Sequence, residues 1–275
     1  MFKKAFIVLV NIFLVLAPTF PILENFYLIV DNTNFSGYLI GCAVISVILL
    51  LGALVVNAQN QKSGVYDSAV ERAAWLLFAL GILVMIPLHM GPPKEGAVLL
   101  QAAALEKFRY VILLVAVMVF AVGVITLIKS FWAKMSVLQK GIIVPLLIAI
   151  PIAIWDYYDS FTFSAQLNQW VNDGNNVNDF FSNYNFYHHW RAVGRILPYI
   201  IAAWLGIVLY QQAIIKKWVA VALSLFCLIG IGFCVACMVK GFQFYFPFMV
   251  PAIALSPAYW LGIALLNKSV ITTKK

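Results

Sequence analysis

Long apolar runs separated by short polar clusters dominate the chain. Read from the start they fall at 5–23, 37–56, 73–90, 110–128, 141–155, 192–210, 218–239 and 244–266. An α-helix needs about 20 apolar residues to cross a hydrocarbon core of roughly 30 Å, and every run except the short fifth comes near that length. The pattern predicts an all-α integral membrane protein: a polytopic bundle of about eight transmembrane helices in a single transmembrane domain over 1–275, with an outer loop at 156–191.

Composition sharpens this picture. Apolar residues make up 64% of the 275 positions and charged residues 10%, against roughly a quarter charged in soluble domains, so the bilayer is the expected solvent and no separate soluble domain fits. The net charge of +8 sits in short loops between apolar runs and forms no basic patch interleaved with aromatics, so nucleic acid is not an expected partner. The bases carry topology instead. With the N-terminus inside, Lys3, Lys4, Lys62, Arg72, Lys129, Lys134, Lys140, Lys216, Lys217, Lys268, Lys274 and Lys275 fall on the cytoplasmic side; Lys94, Lys107, Arg109, Arg191, Arg195 and Lys240 fall outside. Lys and Arg near span ends are retained in the cytoplasm, which predicts both termini there and the cytoplasmic (inner) membrane as the location.

Lys3 and Lys4 ahead of an apolar run resemble the start of a secretory signal, but no small-x-small cleavage site follows and the run continues past Pro18 and Pro21, which favours an uncleaved first span. Ser68 with Glu71 three residues on has the spacing of a capping box ahead of the third span. Gly37 and Gly41 form a GxxxG pair suited to close packing between helices. Prolines interrupt the first, fifth and eighth spans and can free carbonyls to line a cavity or simply kink a packed helix. All four cysteines, Cys42, Cys227, Cys234 and Cys237, lie inside apolar runs; the Cys234–Cys237 CxxC has redox spacing but lacks a second loop pair to relay electrons, so packing is the expectation.

No Asp, Glu, Lys, Arg or His falls near the middle of a predicted span, which argues against a proton-driven transporter. Polar groups gather instead at the outer ends of the fifth and sixth spans. Asp156 and Asp159 stand at i and i+3. Opposite them come His188, His189, Arg191 and Arg195, of which the first, third and fourth share a helical face. Two carboxylates with one or two imidazoles suit a divalent metal. The same residues suit metal-free acid–base chemistry with the arginines on a phosphate, or plain recognition of an anionic lipid or a partner subunit. A structural role, with each Asp paired to a nearby Arg, competes with all three. His89 near the outer end of the third span also admits a haem pairing with His188 or His189, a weaker reading; the sequence names no cofactor. The segment between the two spans is rich in aromatics, from Phe161 and Phe163 to Tyr187, with a turn at Asp173, Gly174, Asn175 and Asn176, and predicts a short amphipathic helix at the outer interface. The preferred reading is a membrane protein that binds a lipid head group or a partner subunit at its outer face, alone or within a larger assembly. The alternatives are a membrane-embedded enzyme acting on a lipid-linked substrate at that face and a non-ion-coupled small-molecule carrier.

Overall fold

The computed structural model describes residues 2–18, 34–60, 68–91, 96–180, 185–240 and 250–267, and no strand occurs among them. The helices are α1 (Phe2–Leu16), α2 (Phe35–Asn60), α3 (Ser68–His89), the short α4 (Gly96–Gln101), α5 (Ala103–Phe131), α6 (Val137–Asn172), α7 (Asn185–Gln211), α8 (Lys217–Lys240) and α9 (Pro251–Leu266). Six of them are long and apolar enough to cross a membrane: α2, α3, α5, α6, α7 and α8. The first and last predicted spans correspond to shorter apolar helices. The first is cut at Leu16, ahead of Pro18, whose ring disfavours helix in the residue before it. Residues 19–23 of that span and 241–249 lie outside the described residues.

Successive long helices pack side by side from α5 through α6 and α7 to α8, and α3 packs on α5. The last helix, α9, lies against α3, α5, α7 and α8, and only its Ile253, Trp260 and Ala264 fall short of full burial. Its contact with α3 is backbone to backbone: a Cβ built on Gly262 would stand 2.5 Å from the Phe78 nitrogen, so no larger residue fits at this crossing. The Tyr157 hydroxyl of α6 donates to the Pro251 carbonyl at 3.0 Å and fixes the start of α9, while the Tyr259 hydroxyl donates to Leu14 of α1. By contrast α2 turns Ile40, Val44, Val47, Ile48, Leu51 and Leu54 outward, a stripe that water would not tolerate and lipid does. Gly37, part of the GxxxG pair, is exposed at the start of this helix and Gly41 is half-exposed.

The bundle has two polar ends. At the lower end, Gln139 Nε2 of α6 donates to Gln211 of α7 at 2.6 Å, and Asn57 of α2 donates to the Glu71 carboxylate of α3 at 3.1 Å. A capping box is seen at Ser136 and Gln139, which start α6. At the upper end the structure departs most from the sequence reading. The segment taken as an outer loop is helical over most of its length, because α6 runs on from Trp155 to Asn172 and α7 already begins at Asn185. With 36 residues, α6 is about 54 Å long at 1.5 Å per residue, nearly twice a hydrocarbon core. It closes at the predicted turn, where Gly174 takes φ +83°. Beyond Asp159 it carries a small cap of its own: Leu167 and Phe180 pack with Leu99 of α4 in a core separate from the main one.

Candidate functional site

Where α6 passes the end of α7, two buried ion pairs tie the helices together. Arg195 Nε and an amino group of the same guanidinium donate to the two Asp156 oxygens at 2.5 and 3.0 Å. Arg191, one turn nearer the start of α7, donates to Asp159 Oδ2 at 3.1 Å. The spacings dictate this ladder: i and i+3 on α6 meets i and i+4 on the antiparallel α7. Asp156 and Arg195 are only 2% and 3% exposed. Close approach is allowed by Gly194, where a Cβ would lie 2.6 Å from the Asp156 Cβ. The Arg195 guanidinium also lies 5.3 Å from the Tyr157 ring, and that of Arg191 3.9 Å from the Phe163 ring.

The two pairs differ in completeness. Asp156 receives a two-pronged guanidinium, and Ser160 donates to its main-chain carbonyl at 2.9 Å. Asp159 is held by one donor from Arg191 and, at 3.5 Å, by Gln166 Nε2, which turns mainly to Thr162 at 2.7 Å. Arg191 Nε and Gln166 Oε1 are both buried and have no hydrogen-bond partner among the described residues. A donor and an acceptor thus stand unused on either side of one carboxylate, under the first turns of the cap.

A third pair was hidden from the sequence reading. Glu106 and Arg109, at the start of α5, are buried and paired at 3.0 Å. Arg109 also donates to the carbonyls of Pro87 at 2.8 Å and Gly91 at 2.7 Å, closing the end of α3. Its neighbour His89 is fully buried in that corner. The three pairs stand at the same end of the bundle and together bury three carboxylates and three guanidiniums. The signal that could have found the third pair is Glu-x-x-Arg just ahead of an apolar run. A hydropathy window discards such a pair and starts the helix at Tyr110, seven residues late.

Of the residues singled out from sequence, Asp156, Asp159, Arg191 and Arg195 are therefore brought together. His189 is exposed on α7 and stands apart from them; the side chain of His188 lies outside the described residues. No group of three or more His, Cys, Asp or Glu with metal-binding geometry occurs among the described residues, and both aspartates face guanidiniums, whose charge repels a cation. The three α8 cysteines are buried and form no disulfide. No family model, curated protein or solved structure matches the chain.

Proposed function

We propose that this chain is a multi-pass protein of the cytoplasmic membrane, with α1 and α9 completing a bundle of eight spans and both termini in the cytoplasm, that binds a lipid head group at its outer face beneath the α6 cap. Orientation is supported by which bases are free. At the lower end Arg72, Lys129, Lys134, Lys216 and Lys217 are exposed, whereas at the upper end Arg109, Arg191 and Arg195 are buried in pairs and, among the described residues, Lys107 and Lys240 are exposed. Exposed positive charge therefore concentrates at the end assigned to the cytoplasm.

The observation that carries the binding reading is the unused Arg191 Nε and Gln166 Oε1 beside Asp159. Buried polar atoms are nearly always hydrogen-bonded, and each exception calls for a water, an ion or a ligand. A head group with an ester or phosphate oxygen for Nε and a hydroxyl for the amide oxygen would satisfy both. Binding is favoured over catalysis because each aspartate is already engaged by a guanidinium. Native mass spectrometry of the gently solubilised protein tests this. Wild type is expected to retain a lipid mass that is lost in Arg191→Lys, which keeps the charge but not the Nε donor, and in Gln166→Leu. Identical adduct masses in all three proteins would refute the site, and a co-purifying chain lost in both variants would assign it to a partner subunit instead.

A further inference from the structure

On the other side of α6 from the ion pairs, α5 and α6 border a shallow, open groove of ≈ 360 Å³ lined by Leu114, Met118, Pro151, Ile154, Trp155 and Tyr158. It opens on the face that both helices turn away from the bundle, where Val111, Val115, Met118, Ile148 and Trp155 are exposed. The lining contains no charged residue, and Trp155 and Tyr158 are the amphipathic rings found at the membrane–water boundary.

A cation stands at its upper rim. The Lys107 ammonium lies 5.3 Å from the Phe161 ring, Phe161 packs on Tyr158 at 6.2 Å, and Tyr158 on Trp155 at 6.3 Å, so an unbroken aromatic ladder leads from the charge into the groove. Along α5, Lys107, Val111, Leu114 and Met118 follow at intervals of four, three and four, which places them on one helical face. From Lys107 to Met118 is about 16 Å of helix, close to half of a hydrocarbon core and therefore one leaflet deep. Lys107 is exposed and forms no salt bridge among the described residues, whereas the three arginines at this end are all paired.

We infer that this groove holds an anionic glycerophospholipid, with one acyl chain in the slot and its phosphate on Lys107 Nζ. Charge selects the occupant: an exposed cation without a salt bridge among the described residues, above an apolar channel one leaflet deep, matches a phosphate joined to a chain. A zwitterionic lipid carries its own cation and gains less.

The test uses the full chain in phosphatidylcholine vesicles doped, at equal fraction, with phosphatidylglycerol or phosphatidylcholine bearing brominated chains, which quench tryptophan on contact. The Trp155 contribution is the difference between wild type and Trp155→Phe. It is expected to report a preference for the brominated phosphatidylglycerol of about fivefold, the factor given by the roughly 1 kcal/mol that one basic side chain contributes at an anionic surface. Lys107→Gln should abolish the preference while ordinary quenching by surrounding lipid persists, and Lys107→Arg should retain it. Equal quenching by both lipids in wild type, or a preference undiminished in Lys107→Gln, overturns the proposal. Arg191→Lys should leave the preference unchanged, which separates this groove from the site under the cap.

Discussion

Arg195 donates twice to a single carboxylate in a place that water hardly reaches, and its value to the protein depends on that carboxylate being present. Removing one partner of a buried pair strands the other charge, at a cost of about 3–5 kcal/mol, while replacing both by apolar residues of similar volume is often neutral or stabilising. Asp156→Ala should therefore lower stability by about 3–5 kcal/mol, and Asp156→Leu with Arg195→Met should recover most of the loss, as read from denaturant titration of the detergent-solubilised protein. A double variant as damaged as the single one would show that the pair does more than hold α6 to α7. Asp156, Asp159, Arg191 and Arg195 were legible in the sequence because three- and four-residue spacings project onto one face of a helix. The differing completeness of the two pairs was not legible. It arises from Gln166 and Phe163, which reach the pair only because α6 is still helical there.

That continuation governs the element scale. Hydropathy falls after Trp155, so the segment beyond it read as a loop, although no proline or glycine occurs between Pro151 and Gly174 to stop a helix. The absence of a breaker was the better signal. What stabilises the emerged part of α6 is a packed aromatic group: Phe180 is fully buried against Phe163 and Trp170, with ring centroids 6.2 and 6.1 Å away, and the Trp170 indole donates to the Asn176 carbonyl at 2.8 Å. Phe→Ala in such a setting costs about 3–5 kcal/mol. Since this core is separate from that of the bundle, Phe180→Ala should raise amide hydrogen exchange across 160–172 while α3 and α9 keep their protection. Equal loss of protection in the bundle would show that the cap and the spans unfold as one unit.

For the whole molecule, alternation of apolar runs and placement of bases were enough to outline a helical membrane bundle, because both follow from the bilayer as solvent. Which helix is central was not legible, since α9 and α2 are similarly apolar and only the contacts distinguish them. Sidedness is open to a direct measurement. All four native cysteines are buried, so single reporters stand out against them. A membrane-impermeant maleimide added to intact cells should label Asn175→Cys in the exposed turn after α6, and should reach Ala133→Cys, exposed between α5 and α6, only after permeabilisation. The opposite pattern would invert the topology. The burial of α9 has a consequence for how the protein is made. Its 16 residues span about 24 Å, short for a helix facing lipid yet sufficient for one enclosed by protein, and they follow in the chain every helix they touch. As the ribosome delivers them, α3, α5, α7 and α8 are already in the bilayer with their future contact faces unsealed. During biogenesis the bundle is thus a vessel awaiting its stopper, its contact faces uncovered until α9 docks.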